Sequence, residues 1–192
     1  MLVPGFVGPL HDGGYPTGGT VTLVKGNPIV IVDTGDVSQR QQILDGLATH
    51  RVAAADVAWV VNTHGHLDHI GNNNLFPAAT FVLDGDIARS GEYRTHDFAR
   101  GPLLIAGGPG ANALTILRTP GHTNHDLSVI VATPIGTVAV VGDLFEHAGD
   151  DADGSWQRWS QDERLQLESR ARVRAMAEYI VPGHGNIFRV ER

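Results

Sequence analysis

The chain has 192 residues, 42% of them hydrophobic and 18% charged, with 24 glycines, no cysteine and a formal net charge of -7. That length suits one domain over residues 1–192, able to bury about 70% of the surface its unfolded form would expose. The composition excludes a disordered or fibrous chain. Without cysteine there is no disulfide framework, thiolate ligand or cysteine nucleophile, and the negative charge opposes nonspecific binding to phosphate backbones. The opening "MLVPGFVGPLHDGG" has no basic segment and is broken by Pro4 and Pro9. No apolar run reaches about 18 residues, so the expectation is a cytoplasmic protein with no membrane partner.

In chain order, Gly13, Gly14 and Tyr15 lie in a glycine-rich loop, a turn that can flank a site, with Tyr15 as a substrate-facing candidate. "VTLVKGNPIVIVDTG" reads as two strands joined at Gly26 and Asn27, the second apolar on both faces and ending at Asp33. Residues 38 to 49 follow Asp36 with helical spacing of Ile43, Leu44 and Leu47. Residues 57 to 62 form a strand that runs into "THGHLDH". "ATFVLDG" is a further strand, residues 84 to 112 read as an irregular surface excursion, and "ALTILR", "LSVIVAT" and "GTVAVVGD" are three more strands. Residues 161 to 178 read as a helix with Leu165, Val173 and Met176 inward and its arginines on a solvated face. Trp156 and Trp159 read as packing residues or a homodimer contact. A last short strand, "YIVPGHG", ends in a histidine. Strands alternating with helices make this an α/β (α+β) chain rich in sheet.

"THGHLDH", residues 63 to 69, gathers three imidazoles and a carboxylate in one loop. Crowded neutral imidazoles gain little from one another, whereas a divalent cation rewards several at once. Three more strands end in a ligand-type residue: "TPGH" at His122, "VVGD" at Asp143 and "VPGH" at His184. Loops at strand ends converge on one sheet edge, so separated segments supply one cavity. Five histidines and two aspartates suit two metals about 3.5 Å apart with a shared carboxylate. Zinc is the first choice, and iron or manganese accept the same donors.

"THGHLDH", "TPGHT", "GD" and "PGHG", in this order, resemble the metallo-β-lactamase superfamily. The resemblance implies a four-layer αββα sandwich with two metals at one edge. It assigns His64, His66 and His122 to the first metal and Asp68, His69 and His184 to the second, with Asp143 bridging and Asp33 supporting the loop from behind. Asp143 departs from true β-lactamases, which generally lack that bridge. Residues 185 to 192 leave no room for the helical domain of glyoxalase II enzymes, and residues 144 to 183 none for the inserted domain of β-CASP nucleases. The full ligand set departs from the mononuclear iron of persulfide dioxygenases. Outside the ligands, "THGHLDHIGNNNLFP", "GDLFEHAGDDADGSW" and "IVPGHGNIFRV" resemble a subfamily whose animal members are described as nucleases acting on histone pre-mRNA.

The implied enzyme is a metal-dependent hydrolase whose nucleophile is a metal-bridging hydroxide. Asp68 is expected to orient that hydroxide, and His125 or His147 is the candidate proton donor to the leaving group. His11, His50 and His96 read as ordinary surface residues. Two substrate readings stand: a phosphodiesterase or endoribonuclease acting on RNA, and a hydrolase of a small ester, lactone or thioester. A non-catalytic metal-binding protein is the weakest. A basic groove favours RNA, and a closed apolar pocket favours the ester.

Overall fold

A computed structural model describes residues 1–107 and 114–191. Its N-terminal segment forms a small hairpin of β1 (Phe6–Val7) and β2 (Thr17–Gly18). The first large sheet has the order β3 (Thr22–Val24), β4 (Ile29–Val32), β5 (Val57–Val61), β6 (Thr80–Leu83), β7 (Asp86–Arg89) and β8 (Glu92–Thr95). The second contains β9 (Leu103–Ile105), β10 (Leu114–Arg118), β11 (Leu127–Thr133), β12 (Gly136–Val140), β13 (Tyr179–Val181) and β14 (Phe188–Arg189), in the spatial order 14-13-12-11-10-9. Among the described residues, four α-helices complete it: α1 (Arg40–Thr49), α2 (Leu67–Ile70), α3 (Asp150–Asp153) and α4 (Glu163–Met176).

Period-two patterning explains the layers. In β4, Val30 and Val32 enter the core between the sheets while Ile31 packs outward with Ile43 and Leu47 of α1. In β12, Val138 and Val140 point to the same central core and Ala139 points to Val173 and Ala177 at α4. Helix, sheet, sheet and helix therefore stack as the expected αββα sandwich. Strands buried on both faces read as continuous apolar runs, as "IVIV" does. Asp36 starts the turn before α1 with a capping box, its carboxylate accepting from Ser38 N at 2.8 Å while Gln39 Oε1 accepts from Asp36 N at 2.7 Å.

Four features differ from the sequence expectation. The hairpin β1–β2 was not legible. β14 adds an edge strand after His184. The excursion over residues 84 to 107 contains the short strands β7, β8 and β9, of which β8 and β9 are edge strands of the two sheets; residues 108 to 112 of that reading lie outside the described residues. In α4 the buried residues are Gln166, Ser169, Arg170 and Val173, whereas Met176 is exposed. Arg170 is thus not on a solvated face, because it reaches inward to a carboxylate. Among the described residues, no helix is long and apolar enough to cross a membrane.

Candidate metal centre

The strand directions bring the chemistry together. β4 and β5 are parallel, as are β12 and β13, and parallel neighbours end at the same edge. Asp33 follows β4, the histidine loop follows β5, Asp143 follows β12 and His184 follows β13; His122 sits in the turn between β10 and β11. Gly183 permits the last approach, since a Cβ there would collide with Asp143 Oδ1. Gly142 has φ of 53°, in the left-handed region, and packs on Thr63 of the histidine loop.

All seven residues expected as ligands converge. One donor atom each from His64, His66, His122 and Asp143 lies within 4.8 Å of the others, and Asp68, His69 and His184 form a second such group. His66 Nδ1 is 3.0 Å from His64 Nε2 and 3.1 Å from His122 Nε2. Asp143 stands between the groups. Its Oδ2 is 3.5 Å from His64 Nε2 and 3.3 Å from His122 Nε2, while its Oδ1 is 3.1 Å from His69 Nε2 and 3.4 Å from His184 Nε2. A tetrahedral cation with ligands at 2.0–2.1 Å needs ligand atoms about 3.3 Å apart, so these spacings fit one cation per group with one Asp143 oxygen toward each. Buried His69 Nε2 and Asp143 Oδ1 face each other at 3.1 Å without hydrogen-bond geometry, although burial of unbonded polar atoms is costly. That donor set and those orphaned atoms fit divalent cations.

Charge follows the same geometry. Burial, reinforced by His64 and His66, lowers the His122 pKa to about 3, and burial also lowers that of His66. Both rings are therefore neutral, the form that ligates. Burial opposes charge on His69, but Asp143 and Asp33 outweigh it and raise its pKa. Burial would raise Asp143, yet His69, His184 and His64 hold it well below the usual carboxylate range.

The loop is pinned from behind. Asp33, at φ of 58°, accepts from Thr63 N and Thr63 Oγ1, both at 2.7 Å, and pairs with His69 Nδ1 at 2.9 Å. The Asp143 turn hangs on α4. Gln166 Nε2 donates to Asp143 O at 3.1 Å, and Arg170 donates to Leu144 O at 2.7 Å while pairing with Asp150 at 2.9 and 2.5 Å. Its guanidinium also lies over Phe145 and Trp156. Trp156 is accordingly a packing residue.

Two expected proton donors lie outside the cluster. His125 is exposed and turns to Asp84 at 3.1 Å and Arg118 at 2.6 Å. His147 pairs with Ser155 at 3.1 Å and Asp153 at 3.3 Å. Two other residues do reach the cluster. Thr17 Oγ1, on the hairpin, donates to Asp68 Oδ2 at 2.9 Å. Glu146 is buried with Oε1 at 3.9 Å from His122 Nδ1, and burial together with Asp143 pushes its pKa up to about 8. The spacing Asp143, Glu146 on one turn was the available signal for the second. Nothing local marked Thr17. Tyr15 packs against Trp159, ring centroids 5.4 Å apart, with Arg158 4.8 Å from the indole.

The profile of the Metallo-beta-lactamase superfamily matches residues 14–184. The chain belongs to this superfamily. Its clustered ligand set and that membership make it a metal-dependent hydrolase. Metallo-beta-lactamase domain-containing protein 1 of Xenopus laevis is 43% identical over 192 residues, covering 99% of this chain and 80% of the relative. A probable metallo-hydrolase of Methanocaldococcus jannaschii is 30% identical over 163 residues, covering 85% and 74%. The crystal structure of a Thermotoga maritima protein, described as a candidate metallo-beta-lactamase, superposes with a TM-score of 0.69 at 17% identity, covering 98% of this chain and 96% of that one; it shows the fold alone.

Proposed function

We propose that this superfamily member is a binuclear hydrolase of small esters, lactones or thioesters, with water as the nucleophile. The supporting observation is the charge around the cluster. Residues 6–20, 64–70, 119–126, 142–160 and 182–188 carry and border the site, and their only lysine or arginine is Arg158, with Arg118, bound to Asn124 and His125, and Arg189 at their margins. A backbone-tracking groove needs several cations. Among the exposed large apolar side chains, Leu67 lies in the histidine loop and Tyr15 packs against Trp159, a grouping that suits an apolar acyl or ring portion.

Bound divalent cations supply Lewis acidity and bring the pKa of coordinated water from about 15.7 toward 7. The protein's part is orientation. Asp143 presents one oxygen to each half of the cluster, and Thr17 fixes the Asp68 carboxylate. Burial, then Asp68 and Glu146, raise the Tyr15 pKa, so its phenol keeps its proton as a donor toward a substrate carbonyl.

A phosphodiesterase acting on single-stranded RNA is the second reading, favoured by the Tyr15, Trp159 and Arg158 grouping, since aromatic rings with a guanidinium stack bases. The test is to incubate zinc-loaded protein with an aryl ester and lactone panel and, separately, with labelled single-stranded RNA, beside Asp68→Ala from the same preparation. Ester or lactone turnover that falls about 10³-fold in the variant, with RNA intact, is expected, since metal-assisted charge stabilisation is worth several kcal/mol. RNA cleavage by the parent protein alone would replace the ester reading.

A further inference from the structure

The cluster histidines differ in what holds the ring nitrogen turned away from their neighbours. His64 Nδ1 meets Thr63 Oγ1 at 3.1 Å, His69 Nδ1 meets Asp33 Oδ2 at 2.9 Å and His184 Nδ1 meets Gly18 O at 3.3 Å. His122 Nδ1 is buried and has no partner. Glu146 Oε1, also buried and unpartnered, lies 3.9 Å from it. Two complementary orphans in contact range are a pair that closes with about 1 Å of movement to the ~2.9 Å of a hydrogen bond, while the other carboxyl oxygen of Glu146, Oε2, lies 4.0 Å from His184 Nε2. Leaving both unmade costs more than making them.

Glu146 is well placed to hold that bond. Its backbone N donates to Asp150 Oδ2 at 2.8 Å, and its backbone O accepts from His184 N at 2.8 Å. Asp150 is itself clamped by Arg170. The side chain thus projects from a turn tied to α4 on one side and to the His184 turn on the other, with 6% of its surface exposed.

We infer that Glu146 is the positioning residue for His122, accepting from its Nδ1–H so that Nε2 keeps its lone pair toward the cluster. This rests on reading the cluster as a metal centre. A carboxylate behind a ligating imidazole fixes tautomer and ring orientation and raises its basicity, and its loss typically weakens metal binding 10- to 100-fold. Glu146→Gln retains an acceptor oxygen, whereas Glu146→Leu does not.

The test uses the full chain with cobalt(II) as the probe, scored by chelator competition and by the visible absorption of the bound ion. Parent protein is expected to bind two cobalt ions. Glu146→Leu is expected to bind one of them 10- to 100-fold more weakly with an altered spectrum, and Glu146→Gln to recover most of the loss. In a His122→Ala background the Leu substitution is expected to add nothing. If Glu146→Leu does not fold, Glu146→Met, unbranched and of similar length, carries the same expectation. Parent-like affinity and spectrum in the folded Leu or Met variant would overturn the inference, as would a Gln variant as weak as Leu. Failure of the parent protein to take up cobalt would instead overturn the metal-centre reading itself.

Discussion

The two turns that face each other across the cluster are anchored by opposite chemistry. The histidine loop after β5 hangs on one carboxylate, Asp33, which gathers a backbone N–H, a hydroxyl and an imidazole at 2.7 to 2.9 Å. The Asp143 turn after β12 hangs on a buried guanidinium, Arg170, which donates to the turn's own carbonyl and clamps Asp150. Asp33 acts within its own sheet, on a neighbouring strand. Arg170 acts from a helix on the outer layer, so one half of the site depends on sheet pairing and the other on helix docking.

Breaking the helix anchor has the largest expected effect. Arg170→Ala leaves Asp150 buried without its cation and is expected to cost about 3–5 kcal/mol of unfolding free energy. Urea denaturation of the metal-free protein measures it, and a loss below about 1 kcal/mol would mean that α4 docks without the pair. The carboxylate anchor ranks next. Asp33→Ala strands the donors of Thr63 and His69 and is expected to cost about 2–3 kcal/mol, with metal affinity reduced 10- to 100-fold. Isothermal titration with zinc checks the second figure; unchanged affinity would show that sheet pairing alone sets the loop.

A smaller, pH-dependent effect belongs to the third turn, at His122. Asp126 accepts from Thr123 N and Oγ1, both at 2.6 Å, and burial raises its pKa from 3.8 to about 6. A raised folded-state pKa gives a contribution present in full below about pH 4 and lost as pH rises through about 6. Asp126→Asn removes that dependence. Relative to the parent, the variant is expected to gain about 2 kcal/mol of stability between pH 4 and pH 7, on top of a constant offset from the altered hydrogen bonds. A pH-independent difference between the two proteins would place the titration elsewhere.

The clustered histidines and aspartates were legible because they follow apolar strands, directly or within one short turn, where a local pattern of apolar run, small residue and His or Asp marks them. Asp33 shares that pattern. Arg170 and Glu146 do not. In α4, charged residues recur throughout "ERLQLESRARVRAM", and amphipathic reasoning assigns an arginine among them to water. Burial of Arg170 depends on Asp150, twenty residues earlier in the chain, and on the faces of Phe145 and Trp156. His125 shows the converse: its place beside His122 in sequence suggested a proton donor, yet the turn directs it outward to Asp84.

By itself the sequence determined the superfamily's His and Asp motifs, the strands that carry them and the period-two apolar pattern that stacks two sheets between helices, because these are properties of spacing along the chain. Only the tertiary structure decided how the pieces oppose one another. It put one oxygen of Asp143 toward each half of the cluster, brought Thr17 of the hairpin onto Asp68, and left Glu146 beside the unpartnered nitrogen of His122. Such contacts join residues far apart in the chain, and no local propensity encodes them; they exist once two sheets, a hairpin and a docked helix have fixed their mutual distances.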